Sequence, residues 1–497
     1  MKLYIVIFLF LSLPLFAAEV TPIRIQMGAD PKTLEPTQVS DLAGFAIASN
    51  LVETLVRNDE KGHLINGLAK SYSISKDGLT YKFQVRTNAR WSDGKAVTAE
   101  ECVLGLLTTL DPKTAASDAA LLFSIRGAHD FATGKAKKES VAVHASNGQL
   151  IVELEHPDAA FLMTLTMPMA APMRAEFSEK WDFHHPTNGA YFIRAYKIGD
   201  EIDLEPNPFS QSPGQRPIVY KIVTEQLAAL NLFESGKIDI LTSIAPMDVK
   251  RLEAQGLIIR VPSVYVIFLS FNTKKPPFND PDWRKAVAAS IDREGLGKIV
   301  GSTMTPTSGY LPSTLDGHLD FQSLPFNNAL ERIRNLNEKP KIQLGYSPSA
   351  VGDLVVQKIQ SDLQKKLAVA VALQGSEWKV FLSQLKTDAP QIFYEGMGAP
   401  FNDPTNHLRN FVVDPVDGEN FSRYNNPKYN ELVEQIARTP LGKKRTKLIQ
   451  EAQRILVERD AVVVPLLERV QVFGVAKNIQ HFAVNPFAVI QLSQLRN

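Results

Sequence analysis

Residues 50–101 read NLVETLVRNDEKGHLINGLAKSYSISKDGLTYKFQVRTNARWSDGKAVTAEE, and the rest of the chain makes sense around them. At the centre, Tyr81-Lys82-Phe83-Gln84-Val85-Arg86 alternates apolar and polar side chains with the period of two that a half-buried strand requires. Asp77-Gly78 before it is a turn pair, and Ser92-Asp93-Gly94 after it breaks the pattern. Thr98 followed three residues later by Glu101 has the spacing of a helix capping box. A strand, a tight loop and a helix start therefore follow one another.

Outward from this stretch, the 497 residues are enough for two or three domains with sizeable cores. Lys and Arg number 54 against 53 Asp and Glu, so no basic field exists to hold a phosphate backbone, and nucleic acid is not an expected partner. The first residues, MKLYIVIFLFLSLPLFAA, combine one Lys, an apolar run and two small residues, the pattern of a secretory signal peptide over 1–18. No cysteine lies near Ala18, so the expected product is soluble and periplasmic, not a lipoprotein. The single cysteine, Cys102, excludes an internal disulfide and reads as a buried, inert thiol.

Further along, VAVHASNGQLIVELE (141–155) is two alternating segments joined by Asn147-Gly148, a β-hairpin signal. The methionines 163, 167, 169 and 173 read as core filler in a proline-rich loop, and His184-His185 point to opposite faces and chelate poorly. From Ile218 the order is strand, helix, strand, with Gly236 ending the helix; this alternation argues for α/β lobes with helices packed on mixed sheets. Val264–Phe271 reads as a strand, Asp282–Arg293 as one helix, Ile342–Tyr346 as a strand, and 350–367 as a helix with a buried stripe. Two helices near 429–438 and 444–459 precede two strands, 462–467 and 470–475. No nucleophile elbow, HExxH, phosphate loop or dinucleotide fingerprint occurs, so an enzyme is not expected.

Gly67-Leu68-Ala69-Lys70-Ser71-Tyr72, Ser75-Lys76-Asp77-Gly78-Leu79-Thr80-Tyr81-Lys82-Phe83 and Trp91-Ser92-Asp93-Gly94 through Val97-Thr98-Ala99-Glu100-Glu101 resemble, in order, the N-terminal run of the family 5 solute-binding proteins of bacterial ABC importers. Asn188-Gly189-Ala190-Tyr191, the Gly236–Asp239 segment and Glu377-Trp378 carry the resemblance along the mature chain and toward the oligopeptide branch. The resemblance implies a type II (cluster C) periplasmic-binding-protein fold of two α/β lobes. Lobe one would take 19–54, 182–271 and 467–497, with an extra subdomain over 55–181; lobe two would take 272–466. It also implies a monomer without cofactor that captures short peptides between the lobes and delivers them to the permease subunits of an ABC importer. A chelated metal, another small solute, or a sensing role without transport are the alternatives.

By register with the family, Asp41, Leu42, Phe268, Asn272, Tyr310, Trp378, Leu382, Met397, Gly398, Pro400 and Arg469 are candidate ligand-binding residues. Arg469 is suited to a carboxylate. Peptide-binding relatives meet the ligand ammonium with an Asp in the cleft loop, but this chain has Pro400 there, which leaves Glu395 and Asp403 as substitute anchors. Under the chelated-metal alternative, His407 is the candidate ligand; no metal site is otherwise expected.

Overall fold

Local signals in the opening stretch are reproduced by the computed structural model, which describes residues 21–177, 181–321, 324–413 and 420–496. The segment 1–18, read from sequence as a signal peptide, lies outside the described residues. Thr80–Val85 is a strand and Ala99–Leu110 a helix. Thr98 Oγ1 accepts from Glu101 N at 3.2 Å while Glu101 Oε2 accepts from Thr98 N at 3.0 Å, closing the capping box. Trp91 Nε1 donates to the same Glu101 oxygen at 3.0 Å, and Arg174 Nη1 reaches Asp93 at 2.6 Å. The Trp-Ser-Asp-Gly run is thus tied into the scaffold. Asn147 and Gly148, both at positive φ, turn the hairpin between Val143–Ser146 and Gln149–Glu153.

These strands build a four-stranded antiparallel sheet in the order Ala69–Ile74, Thr80–Val85, Gln149–Glu153, Val143–Ser146. Its core gathers Phe83, Leu106, Leu150, Phe161 and the methionines 163, 167 and 169. The methionine loop packs directly on the helix Ala99–Leu110, because Gly105 leaves room for the Ala171 carbonyl: a Cβ there would lie 2.0 Å from that oxygen. Cys102 is buried in the same layer, where burial pushes its thiol well above the usual range and keeps it protonated.

Among the described residues the larger sheet has eleven strands, one of them, Met304–Pro306, pairing only with Val463–Val475. One half runs Val371–Gly375, Ile342–Tyr346, Ile392–Met397; the other runs Ile240–Leu241, Ile23–Met27, Ile218–Ile222, Glu201–Pro206, Tyr191–Lys197. Two long strands, Ile258–Phe271 and Val463–Val475, lie between the halves and pair with each other antiparallel. Each half packs helices over its own core, one around Leu269, Trp283 and Ile359, the other around Ile25, Ile47 and Leu204.

Three boundaries differ from the sequence reading. The helix read over Asp282–Arg293 is two helices, Pro281–Ser290 and Arg293–Val300, because Asp292 turns the chain and accepts from Gly295 N at 2.9 Å to cap the second. The two strands read over 462–467 and 470–475 are one continuous strand. The strand read from Val264 begins earlier, at Ile258, and carries a register irregularity between Pro262 and Val266.

Candidate functional site

The irregularity between Pro262 and Val266 sits where the crossing strands pass from one half-sheet to the other, and it opens on a cleft. Residues 258–262 pair with 470–474, whereas 266–271 pair with the strand Ile392–Met397 on one side and 463–468 on the other. Ser263, Val264 and Tyr265, in the gap, line a cavity of about 650 Å³. The loop ending at Asp41 and the first turn of the helix Leu42–Leu51, the segment Ser117-Asp118, Met167, the loop Gly398-Ala399-Pro400, Arg469 and Phe487 complete its walls. The lining is mostly apolar, with Asp41, Asp118 and Arg469 as its charged members.

Of the residues named from sequence, Asp41, Leu42, Gly398, Pro400 and Arg469 are brought together here. Leu42 is 76% exposed, an apolar side chain held open to the cleft. Asp41 is at the same time a helix cap: Oδ1 accepts from Gly44 N at 3.0 Å and Oδ2 from Lys32 N at 3.1 Å. The Arg469 guanidinium lies 4.0 Å from the Tyr265 ring centroid. Its neighbour Glu468 points the other way and accepts from Ser313 Oγ at 2.7 Å, as strand alternation requires. Gly396 and Gly398 allow Tyr265 to lie against their backbone, since a Cβ at 396 would meet the phenol oxygen at 2.5 Å.

The remaining candidates are not on this wall. Phe268 and Tyr310 are buried and packed edge to face at 5.2 Å, with the Tyr310 hydroxyl donating to the His407 carbonyl at 2.9 Å. Asn272 is buried and donates to Ala389 O at 3.1 Å. Trp378, 55% exposed, and Leu382 lie on the helix Trp378–Asp388. Met397 packs against the core holding Phe268, with its sulfur touching Asn410 Nδ2. Glu395 sits opposite Phe268 in the sheet. Asp403 is fully buried and committed to Arg445, 2.8 Å away.

His407 is fully buried, and burial pulls its imidazole down to about 4, so it is neutral. Its ring faces the Met397 and Val264 backbones, yet neither nitrogen closes a hydrogen bond of normal geometry. Among the described residues, no three His, Cys, Asp or Glu side chains converge as metal ligands would. Asp118, by contrast, is a cleft residue that the sequence reading missed. It lies before the single turn Ala119–Leu122, in a segment with no periodic signal, and its place in the cleft is set by the fold.

Comparison with known proteins fits this architecture. The chain is 28% identical to the oligopeptide-binding protein OppA of Bacillus subtilis over 468 residues, 88% of this chain and 86% of the relative. It is 26% identical to the probable deoxycholate-binding periplasmic protein YgiS of Escherichia coli, over 91% of this chain and 90% of that one. Among solved structures, the unliganded open form of the periplasmic murein tripeptide binding protein MppA superposes with a TM-score of 0.86 at 23% identity, covering 96% of this chain and 98% of that one. That likeness shows the two-lobed periplasmic-binding-protein fold. Residues 63–418 match the family model described as bacterial extracellular solute-binding proteins, family 5 (middle), and the chain belongs to that family.

Proposed function

We propose that this protein is the periplasmic binding component of an ABC peptide importer, closing two lobes over a short peptide and handing it to the permease. The observation that carries the reading is the cleft: about 650 Å³ where the two crossing strands pass between the half-sheets, with charged groups of both signs on a mostly apolar wall. Short peptides offer apolar side chains together with one positive and one negative end. Closure would be a shift from an open to a closed arrangement driven by contacts that exist only when closed.

The lobes are proposed as 19–54, 182–271 and 467–497 with the subdomain 55–181, against 272–466. Residues 266–271 end the first lobe's middle segment and pair there with the strand Ile392–Met397 of the second lobe. The protein acts as a monomer that binds without catalysis or cofactor and reaches the periplasm through its N-terminal signal. Among the described residues no helix is long and apolar enough to cross a membrane.

A second reading is favoured by the apolar lining and by Pro400 in place of a carboxylate: a small amphipathic anion seated on Leu42, Phe45 and Phe487, its charge at Arg469. Titration calorimetry with a free tripeptide-to-pentapeptide library and, separately, with a bile acid separates the two. Micromolar binding of the library and none of the bile acid is expected; the reverse replaces the first reading with the second.

A further inference from the structure

Asp118 and Arg469 line the same cleft from different parts of the chain. The carboxylate of Asp41 is already used by two backbone amides. That of Asp118 is not: it precedes the single turn Ala119–Leu122 and makes no capping hydrogen bond to it. Burial raises its carboxyl above the usual range, and the Ser117 hydroxyl is the hydrogen-bond donor that offsets this. A half-buried carboxylate that faces a cavity and forms no ion pair with any described residue is stabilised by an ammonium that enters.

Arg469 presents the complementary group. It is exposed on its strand, held over the Tyr265 ring at 4.0 Å, and does not pair with the adjacent Glu468, whose carboxylate is turned to Ser313. Leu42, Phe45, Met167 and Pro400 are among the apolar residues that line the same cavity. The substitute anchor positions on the other lobe are unavailable or turned away. Asp403 is bound to Arg445, and Glu395 does not line the cleft.

We propose that Asp118, on the subdomain of lobe one, binds the ligand ammonium, and that Arg469 binds the carboxylate at the other end of the same ligand. The assignment rests on the peptide reading and sharpens it: the ligand is a free-amine peptide, held at its positive end by lobe one and not by the 396–404 loop.

The test uses the full mature protein, wild type and Asp118→Asn, titrated with a mixed tripeptide-to-pentapeptide library and with the same library N-acetylated. Asn is nearly isosteric with Asp, and thermal unfolding without ligand checks that the variant is folded. Expected is a loss of about 10- to 100-fold for D118N with the free-amine library, the range of a charge-assisted hydrogen bond. N-acetylation is expected to cost the wild type a similar factor and D118N nothing further. Arg469→Met is expected to lose affinity for the free-acid library but not for its C-terminally amidated form. If the wild type discriminates against acetylated peptides and D118N does so equally, the peptide reading stands and the anchor is not Asp118. Equal binding of both libraries by the wild type overturns ammonium recognition itself. If the wild type binds neither library, the peptide reading fails and the assignment with it.

Discussion

Arg445 Nη2 reaches both carboxylate oxygens of Asp403, at 2.9 and 2.8 Å, with each side chain only 1% exposed. The pair ties the exit of the 396–404 loop to the helix Lys443–Gln453, and Arg445 Nε adds a hydrogen bond to Ile436 O at 3.0 Å. Asp403 also accepts from Thr405 N at 2.9 Å. Its charge is therefore spent on holding the loop in place. Removing one partner strands the other in a dry interior, so Arg445→Met is expected to lower stability by about 3 to 5 kcal/mol, with Asp403→Asn in the same chain recovering part of it. Urea unfolding of the single and double variants measures this. Equal midpoints for wild type and R445M would show that the pair does not hold the loop.

A smaller effect is expected at the capping box. Thr98→Ala removes the side-chain acceptor for Glu101 N and loosens the partner bond that the Thr98 N–H donates to the Glu101 carboxylate. The cost should be about 1 kcal/mol, read as a lower urea midpoint with an unchanged slope.

Steric fit on the cleft wall gives a coupled pair. Gly396→Val drives a side chain into the Tyr265 phenol, and overpacking of this kind costs about 1 to 3 kcal/mol. Tyr265→Ala opens the space that valine needs, so the double variant should be less destabilised than the sum of the singles. Additive losses in a double-mutant cycle would mean that the two residues are independent.

His407 supplies a pH dependence. Burial holds its folded-state pKa near 4, below the roughly 6.5 of an unfolded histidine. The unfolded chain then binds the extra proton between those values. Stability from the neutral ring is complete above about pH 6.5 and is lost as pH falls toward 4, by about 3 kcal/mol. His407→Phe should flatten that part of the profile, measured by urea unfolding at a series of pH values. A parallel profile in the variant would assign the acid sensitivity elsewhere.

Local chemistry was legible wherever it is decided by neighbours in the chain. Thr98 and Glu101 cap a helix because they lie three apart, and Asn147-Gly148 turns a hairpin because both tolerate positive φ. The helix 282–293 was read too long because its apolar spacing runs past Ser290, while the cap at Asp292 competes with it locally. Cleft residues at a helix start, Asp41 and Leu42, and on a loop, Pro400, were legible from the family register. Phe268 and Tyr310 were not separable from the cleft by pattern. Residues 266–271 are buried on both faces, so a period of two no longer says which face looks outward. Asp118 carried no signal, since only the fold brings it to the cavity that Arg469 also lines.

On the proposed function, a short peptide occupies this cleft in the cell. Native mass spectrometry of the protein purified from its own periplasm without denaturation tests it most directly. A population heavier than the apoprotein by the masses of short peptides, with fragmentation that reads out sequence, is the predicted result. A uniform adduct of one non-peptide mass, whether a metal chelate or an amphipathic acid, would contradict it.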